Sequence, residues 1–377
     1  MKIAYILPID IEKYEGVLNK VDSQVLEWIN NKNEVVIYLI TNNNISHLES
    51  TSLYGLYKKG KIEIIKLKQY GGLPVDLIKD WLNLDSAYRS VLNKLVTFKP
   101  DVIYARTSLY QPFYKKLGKN NNLIIEANTD TNSEYNLQKF QTIKYFLRYI
   151  YFKLTNYFFL KRVTAIAAVT NEIAALFKKK NTRVFPNSII VDNYPKFSSK
   201  NNKKKKVVFL GSPNMPWQGI DILLLLSKKM INIDFDVIGY EGKDFEMLPN
   251  VNFHGFMNKK KYLEILEYAD ASIGTMALYR KNMQEACPLK VREYLACCKP
   301  VILPYKDTAF ELNGYPEWVL KLPNSREGIL NSVEEITSFI NKCDQLVINK
   351  NDVKKYVDVS EIEKNRLQFF KEIMDKK

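Results

Sequence analysis

The stretch VVFLGSPNMPWQGIDILLLLSKKMINIDFDVIG, residues 207–239, decides the fold class. Unbroken apolar runs predict buried strands at 207–211 and at 235–239, and apolar residues between them predict a helix from Ile220 to Met230. Strands that are apolar throughout are typical of a parallel sheet covered by helices on both faces. The stretch is therefore one strand–helix–strand unit of a doubly wound α/β sheet.

The same alternation runs through nearly the whole chain. Before residue 196 the predicted strands are 2–7, 35–40, 62–67, 101–105, 123–127, 165–169 and 183–186. The predicted helices there are one that follows a loop through Gly16, and others near 84–98, 110–118 and 137–161. Beyond residue 239 the predicted strands are 251–255, 271–274 and 300–304, with helices at 262–268 and 289–298. Two doubly wound halves of similar size follow.

A lysine-rich stretch, KFSSKNNKKKK at 196–206, breaks this rhythm and predicts a linker. It would separate an N-terminal Rossmann-like domain, residues 1–195, from a C-terminal Rossmann-like domain, residues 207–359. A last helix within residues 360–377 is expected to pack back on the N-terminal domain. Doubly wound sheets bind ligands at the carboxyl ends of their strands, so we expect the site in a cleft between the domains.

Composition excludes several classes of protein. The 377 residues carry a formal charge of +15, yet no nucleic-acid-binding motif is present, so a phosphorylated ligand or an anionic membrane surface suits the charge better. Two histidines and four cysteines, without ligand spacing, exclude a zinc site and a redox dithiol and predict buried free thiols. No apolar run of 18 residues and no cleavable leader is visible, so we expect a cytoplasmic protein.

The segment EACPLKVREYLA, residues 285–296, carries the candidate chemistry. It places Glu285 before, and Glu293 inside, a predicted helix that begins near Pro288 and Leu289. The N–H groups of a first helical turn form an anion site that suits a diphosphate. The glycine-rich dinucleotide and ATP motifs and the serine-hydrolase elbow are absent, so those readings are excluded.

This segment, with Lys299-Pro300-Val301-Ile302 after it, resembles the E-x7-E signature of the family 4 glycosyltransferases and of bacterial capsule and exopolysaccharide sugar transferases. Weaker matches follow in the family's order: Gly16, Pro186-Asn187-Ser188, Gly211, Trp217-Gln218-Gly219-Ile220-Asp221 and Asn252-Phe253-His254-Gly255. The resemblance implies a GT-B fold, with two Rossmann-like domains facing an interdomain cleft. It also implies a hexosyltransferase-type enzyme that moves a sugar from a nucleoside diphosphate to a growing glycan. The N-terminal domain would bind the acceptor and the C-terminal domain the nucleotide-sugar, with retention and without a metal or other cofactor.

The resemblance assigns roles to residues of this sequence. Glu285, which would contact the donor sugar, and Lys290, beside the diphosphate, are the candidate catalytic residues. Glu293 would bind the ribose hydroxyls, Leu289 and its neighbours the diphosphate, and Gly239 and Phe256 would border the base. The donor-binding candidates are Glu293, Pro288, Leu289, Gly16, Gly211, Ser212, Gln218, Gly239, Phe256, Arg280 and Lys281; the acceptor-binding candidates are Arg106, Asn128 and Thr129.

Several alternatives stay open at this stage. Ser212 and Gln218 stand where the family usually has Arg and Lys; Lys290, Arg280 and Lys281 would either replace that charge or be solvated surface residues. The first two positions also leave open a catalytically silent GT-B subunit that scaffolds a partner transferase. A nucleotide-sugar epimerase is disfavoured because few acid–base groups are present. Residues 138–162, rich in aromatics and cations, form either a core helix or one lying on the inner face of the cell membrane, near a polyprenyl-linked acceptor.

Overall fold

A computed structural model describes residues 1–67, 76–107, 109–198, 200 and 202–376. The chain divides into two compact units. Unit 1 comprises Met1–Phe185 with Val359–Lys377, and unit 2 comprises Pro186–Asp358.

Unit 1 is built on a seven-stranded parallel sheet. Its strands are β1 (Lys2–Pro8), β2 (Glu34–Thr41), β3 (Ile62–Lys66), β4 (Val102–Arg106), β5 (Asn122–Ala127), β6 (Ala165–Ala168) and β7 (Asn181–Val184). They lie in the order β3-β2-β1-β4-β5-β6-β7. The interior of β1 is buried without interruption, as its continuous apolar run predicts. The order reverses direction between β1 and β4, which flank the switch point of this sheet.

The helices of unit 1 before residue 186 are α1 (Glu15–Asn30), α2 (Ile45–Glu49), α3 (Tyr54–Lys58), α4 (Asp76–Phe98), α5 (Pro112–Asn120), α6 (Thr131–Gln138), α7 (Ile143–Arg162) and α8 (Asn171–Ala175). Gly16 lies in the first turn of α1 and not in a loop. The single helix predicted at 137–161 is two helices, because each start is capped. The Asp130 carboxylate accepts two backbone N–H groups of α6, and Thr142 Oγ1 accepts one of α7.

Unit 2 repeats the architecture on a six-stranded sheet. Its strands are β8 (Lys206–Leu210), β9 (Asp234–Ile238), β10 (Val251–Phe253), β11 (Ala271–Ile273), β12 (Glu285–Ala286), β13 (Val301–Leu303), β14 (Lys306–Asp307) and β15 (Val319–Lys321). The main sheet has the order β10-β9-β8-β11-β13-β15, while β12 and β14 form a separate parallel pair. All described pairings of the main sheet are parallel.

The helices of unit 2 are α9 (Ile220–Lys229), α10 (Lys259–Tyr268), α11 (Leu289–Ala296), α12 (Thr308–Asn313), α13 (Arg326–Asn331), α14 (Val333–Lys342) and α15 (Lys350–Val357). Short 3-10 turns occur at Val191–Asn193, Pro216–Gln218, Gly242–Asp244 and Leu278–Lys281. Counted within its own main sheet, unit 2 has the Rossmann order 3-2-1-4-5-6, and unit 1 has the same order with one more strand. The prediction of two doubly wound halves is confirmed.

The boundaries of the units differ from the predicted domain limits. The chain enters unit 2 at Pro186, because the backbone after it bonds within that unit: the N–H of Ile189 donates to the carbonyl of Val357. The described part of the lysine-rich stretch also belongs to unit 2. Lys200 pairs with Glu267 at 2.8 Å, and Lys204 and Lys205 pair with carboxylates at 2.5 and 3.2 Å.

The last helix, α16 (Val359–Met374), belongs to unit 1 and packs on α1 through a buried polar pair. The Glu363 carboxylate accepts the indole N–H of Trp28 at 2.9 Å and the Nε–H of Arg366 at 2.8 Å. Arg366 also donates to the hydroxyl of Tyr104, at the centre of the sheet, at 2.6 Å. Because Glu363 and Arg366 are fully buried, removal of Glu363 would leave the Arg366 guanidinium with the longer ion pair to Glu126, at 4.0 Å, in place of a hydrogen-bonded carboxylate.

We therefore expect Glu363→Ala to lower the free energy of unfolding by about 3–5 kcal/mol. Glu361→Ala is the matched control, since Glu361 lies on the same helix with its side chain 77% exposed, and its effect should stay below about 0.5 kcal/mol. Urea unfolding followed by circular dichroism measures both. Equal effects of the two substitutions would contradict this account of how α16 is held.

Candidate functional site

Close backbone packing shapes the carboxyl ends of β8 and β9 in unit 2. A side chain at Gly211 would meet the ring of Tyr240 at 2.3 Å, and one at Gly239, where φ is +92°, would meet the carbonyl oxygen of Gly211 at 2.2 Å. The Tyr240 hydroxyl donates to the carbonyl of Ser212 at 2.9 Å. The structure thus brings three predicted donor-binding residues, Gly211, Ser212 and Gly239, together, and close internal packing leaves no room for a side chain at the two glycines.

Helix α11 is fastened to the end of β8 through both backbone groups of Leu210. Strand β11 ends at Ile273, opposite Phe209, so Leu210 has no strand partner on that side. Its N–H donates to the hydroxyl of Tyr294 at 2.8 Å, and its carbonyl accepts from Lys290 Nζ at 2.7 Å. Lys290 and Tyr294 are four residues apart and share one helical face. The start of α11 therefore lies at the switch point between β8 and β11, where such sheets bind ligands.

The Lys290 ammonium lies at the carboxyl end of β8, at Leu210, the residue before Gly211 in the chain. Besides Leu210 it donates to Gln218 Oε1 at 3.0 Å, and it lies over the ring of Phe209 at 4.3 Å from the centroid. An ammonium has three N–H donors, and these two acceptors use two of them. Burial lowers the pKa of Lys290 to about 7, because no carboxylate compensates for its desolvation.

The first turn of α11 offers backbone donors beside this lysine. Pro288 is extended, with φ −74° and ψ 140°, so the helix begins at Leu289, within the predicted start, and Pro288 is the capping residue and not the first helical residue. Its side chain has no hydrogen-bonding group, and the N–H of Leu289 precedes the first intrahelical bonds. An anion placed at this turn would meet both helix donors and an ammonium.

Glu285 is held in the two-residue strand β12, just before α11. Its side chain is 5% exposed, and β12 pairs with β14 in parallel register, Glu285 opposite Lys306. The N–H of Lys306 also donates to the carbonyl of Gln284 at 2.9 Å. The carboxylate therefore lies on a fixed backbone and not on a free loop.

A buried arginine that sequence reasoning missed supports this backbone. Arg292, fully buried in α11, makes two hydrogen bonds to the Asp307 carboxylate, at 2.5 and 3.0 Å. Its remaining donors reach the carbonyl of Asn187 at 3.0 Å and Cys287 Sγ at 2.6 Å. Burial raises the pKa of Cys287 to about 11, so this thiol is neutral. A lone arginine inside the E-x7-E interval was the signal available in the sequence.

Glu293 already has hydrogen-bond donors on both carboxylate oxygens. The hydroxyl of Tyr194 donates to Oε1 at 3.0 Å and that of Tyr262 to Oε2 at 2.5 Å. Burial and the neighbouring carboxylate raise the pKa of Tyr262, so it stays a neutral donor. A ribose hydroxyl at Glu293 would have to share these oxygens with two tyrosines.

The other predicted cations of unit 2 lie around the turn at Pro216–Gln218. Arg280 forms a bidentate ion pair with Asp221, at 2.6 and 2.9 Å, and donates to the carbonyl of Pro216 at 2.8 Å. Lys281 lies over the ring of Trp217 at 4.6 Å. Arg280 therefore has a carboxylate partner, whereas Lys290 has none among the residues that the structure describes. Phe256, a predicted neighbour of the base, is 80% exposed.

The acceptor candidates of unit 1 gather around Glu126 on β5. Lys20 Nζ donates to Glu126 Oε1 at 2.5 Å and to Asn128 Oδ1 at 3.1 Å, and Asn128 donates back to Glu126 at 3.2 Å. Burial alone would raise the pKa of Glu126, but Lys20, Arg106 and Arg366 outweigh it and hold that pKa well below its usual range. The structure thus brings Arg106 and Asn128 together, at the carboxyl ends of adjacent strands.

Thr129, the third acceptor candidate, donates to Glu134 Oε1 at 2.7 Å.

Over the described ranges, no group of three or more histidine, cysteine or acidic side chains is placed to hold a metal ion. The four cysteines are free and buried, as predicted. No helix in the described part of the chain is long and apolar enough to cross a bilayer.

Solved structures with the same architecture cover nearly the whole chain. Sucrose-phosphate synthase from Thermosynechococcus elongatus matches 100% of this chain and 100% of its own, with a TM-score of 0.69 at 11% identity. HepE from Anabaena, in complex with UDP and glucose, matches 98% of this chain and 99% of its own, with a TM-score of 0.62 at 14% identity. A UDP-GlcNAc 2-epimerase from Neisseria meningitidis, bound to UDP-GlcNAc, matches 98% and 99%, with a TM-score of 0.53 at 13% identity.

No protein-family profile matches the sequence, and no curated protein matches it at the sequence level. The structural similarity confirms the predicted fold class, a GT-B chain of two Rossmann-like units. At 11–14% sequence identity, structural similarity establishes the fold only, so the activity has to be inferred from the site.

The titration of Lys290 gives a test of the site geometry. Its folded-state pKa, about 7, lies below its ordinary 10.5, so between these values the unfolded chain binds more protons and stability rises with pH. Relative to Lys290→Met, the free energy of unfolding of the wild type should increase from about pH 6 to about pH 9. Urea titrations across this range measure it. For Lys228→Met, at an exposed lysine, the difference in unfolding free energy from the wild type should not change with pH. For Lys290→Met, a difference that stays constant or falls as pH rises would contradict a partly buried, desolvated ammonium.

Proposed function

We propose that this protein is a glycosyltransferase that moves a hexose from a nucleoside diphosphate to a growing glycan in surface polysaccharide synthesis. The observation that carries the proposal is the position of Lys290. Its ammonium is held at the carboxyl end of β8 by Leu210 and Gln218, beside the backbone surface at Gly211 and the first turn of α11. A cation and the N-terminal donors of a helix thus lie at the switch point, and helix N-termini of this kind bind phosphate groups.

The main catalytic requirement of the proposed sugar transfer is stabilisation of the leaving group, the nucleoside diphosphate. The bond between the sugar's anomeric carbon and the diphosphate oxygen breaks, and that carbon forms a bond to the acceptor hydroxyl oxygen. The hydroxyl proton leaves with the diphosphate, whose charge grows as the bond breaks. Donors fixed in advance at that oxygen lower the barrier without reorganisation, which is the role proposed for Lys290 and the N–H groups of Leu289 and its neighbours.

Glu285 is proposed to hold the transferred sugar. The β12–β14 pairing and the Arg292–Asp307 pair fix its backbone, so its carboxylate can orient sugar hydroxyls with little loss of entropy. Gly211, Ser212, Gln218, Gly239 and Glu293 complete the proposed donor site. Gly16, Pro288, Phe256, Arg280 and Lys281 remain donor-binding proposals, and Arg106, Asn128 and Thr129 remain acceptor-binding proposals.

The finer features of the proposal follow the family resemblance. They are retention of anomeric configuration, independence from metal ions, and a polyprenyl-linked acceptor reached from the inner face of the cell membrane. The glycosyl acceptor would bind unit 1, whose α7 is rich in cations and exposed aromatics.

Two rival functions share this fold. The first is an epimerase, because the Neisseria enzyme has this architecture; an epimerase would convert a nucleotide-sugar without any acceptor. A silent scaffolding subunit would bind no nucleotide. Nuclear magnetic resonance of a nucleotide-sugar incubated with the protein alone separates the first rival, and calorimetry separates the second.

For the donor site, we expect one of UDP, GDP and dTDP to bind in calorimetry, UDP being the first choice because HepE was solved with it. Lys290→Ala should weaken that binding about 10- to 100-fold, since it removes a charged hydrogen-bond donor. Glu285→Gln should leave nucleotide binding within about twofold and lower sugar transfer at least about tenfold, because it contacts the sugar and not the diphosphate.

Lys228→Ala is the matched control for Lys290→Ala, since Lys228 is an exposed lysine of the same unit. Sugar transfer is followed with labelled nucleotide-sugars and a lipid-linked acceptor extract. Because the proposed reaction needs no metal ion, the transfer rate should be the same with and without EDTA. Absence of binding by all three nucleotides would favour the scaffolding subunit. Full transfer by a folded Glu285→Ala, Lys290→Ala double variant would remove the basis of the enzyme proposal.

For the membrane, we expect the protein to sediment with phosphatidylglycerol vesicles at low salt and to be released as salt rises. Leu154→Glu, on the exposed face of α7, should reduce the bound fraction at least about tenfold, because it places a carboxylate in the head-group layer. Leu312→Glu, an exposed leucine on α12 of unit 2, should leave it unchanged. A protein that stays in the supernatant at low salt would contradict peripheral attachment.

A further inference from the structure

Helix α7 presents an exposed apolar stripe along its length. Its members recur three or four residues apart and fall within an arc of about 120°, on the face opposite the buried Phe152 and Phe159. They are Ile143, Phe146, Leu147, Ile150, Leu154, Tyr157 and Phe158. Single exposed apolar residues are ordinary, but a continuous stripe marks a contact with something apolar.

The charges around the stripe indicate an anionic partner. No aspartate or glutamate occurs between Tyr135 and Asn171, whereas α7 carries five lysines and arginines. Lys153 lies over the ring of Tyr149 at 5.7 Å, an arrangement in which the lysine stem covers apolar surface and the ammonium stays in water. An apolar face bordered by cations matches a bilayer with anionic head groups better than a protein surface with mixed charge.

A cavity of about 230 Å³ adjoins α7 inside unit 1. Its lining is mostly hydrophobic and comes from Ile78, Trp81, Leu84, Leu109 and Tyr151, together with the polar residues Asp80, Gln111 and Arg148. Arg148 and Tyr151 lie on α7 itself, where Tyr151 borders the stripe and Arg148 lies closer to the buried face. The volume is below the roughly 300–1,000 Å³ of pockets for drug-sized ligands, so it suits a slender chain.

Two buried polar atoms of the cavity lining have no hydrogen-bond partner among the described residues and could bind a ligand. Gln111 is 1% exposed, and within the part of the chain that the structure describes its Oε1 has no hydrogen-bond partner; the same holds for Arg148 Nε. A buried polar atom without a partner costs free energy, which a bound molecule can recover. Asp80, the acidic residue of the lining, pairs with Lys144 at 2.8 Å, so these three charges sum to +1.

We propose that this cavity binds the hydrocarbon chain of a phosphorylated lipid, with its phosphate at Arg148 and Gln111, while the stripe of α7 lies in the bilayer surface. The phosphate would accept the Nε–H of Arg148, and a hydroxyl of the head group would donate to Gln111 Oε1. The inference rests on the proposed function for one point, that this lipid is the carrier of the acceptor glycan. The cavity then holds the acceptor by the part of it that never reacts.

Butyl, hexyl and octyl phosphate, used as monomers below their micelle concentrations, test the cavity. Burial of each methylene should tighten binding to the wild-type chain about fourfold, as measured by calorimetry. Leu84→Trp fills the cavity from α4 and should abolish this dependence on chain length. The variant should bind octyl phosphate at least about tenfold more weakly than the wild type does. Ile78→Trp, at a half-exposed position of the lining, tests the same point if Leu84→Trp does not fold.

Arg148→Gln should weaken the binding of octyl phosphate at least about tenfold and change the binding of octanol by no more than about twofold. This result would show that the guanidinium binds the phosphate group. Leu312→Trp, an exposed leucine in unit 2, controls for adding an indole. An unchanged chain-length dependence in both cavity variants, or no binding of octyl phosphate to the wild type, would overturn the proposal.

Nucleotide calorimetry on the same proteins keeps the two proposals apart. If the cavity is used as proposed, Leu84→Trp binds the nucleotide like the wild type and loses transfer to a lipid-linked acceptor only. Failure of every nucleotide to bind the wild type would end the transferase proposal while leaving the alkyl phosphate result intact.

Discussion

The buried ion pair between Arg292 and Asp307 is the interaction on which the candidate donor site depends. Both side chains are fully buried, and such a pair is stable only where its desolvation is repaid by well-made hydrogen bonds. Here Arg292 donates two hydrogen bonds to the Asp307 carboxylate, one to the carbonyl of Asn187 and one to Cys287 Sγ. The pair joins α11 to β14 and, through strand pairing, to β12. The position of Glu285 relative to the first turn of α11 follows from it.

Helix α11 is short, and its contacts explain how eight residues hold a site. On one face Arg292 is tied to β14, and on another Lys290 and Tyr294 are tied to the backbone of Leu210. A helix of this length is marginal by itself, so its conformation comes from these tertiary contacts. Its start is thereby fixed at the switch point of the sheet, with donors and one desolvated cation aimed at the same place.

The formal charge of +15 is distributed unevenly in the folded protein. In the lysine-rich stretch, Lys200, Lys204 and Lys205 have carboxylate partners, so much of that positive charge is locally balanced. Burial lowers the pKa of Lys290 to about 7, and its described hydrogen-bond acceptors, the Leu210 carbonyl and the Gln218 amide, are neutral. The charge most relevant to a diphosphate is therefore one ammonium in a low-dielectric place, where electrostatic interactions are strongest.

The sequence by itself determined the fold class, since unbroken apolar strands alternating with helices have few other solutions. It also singled out the segment around Glu285 as the candidate site, by the helix start that this segment contains. Tertiary structure alone decided the environment of Glu293, whose carboxylate is met by Tyr194 and Tyr262 from distant parts of the chain, and the partner of Arg280. It also decided the two-residue strand β12. Local patterns encode which backbone segments form helices or strands, but side-chain partners far apart in the chain are brought together only by the packing of the whole unit.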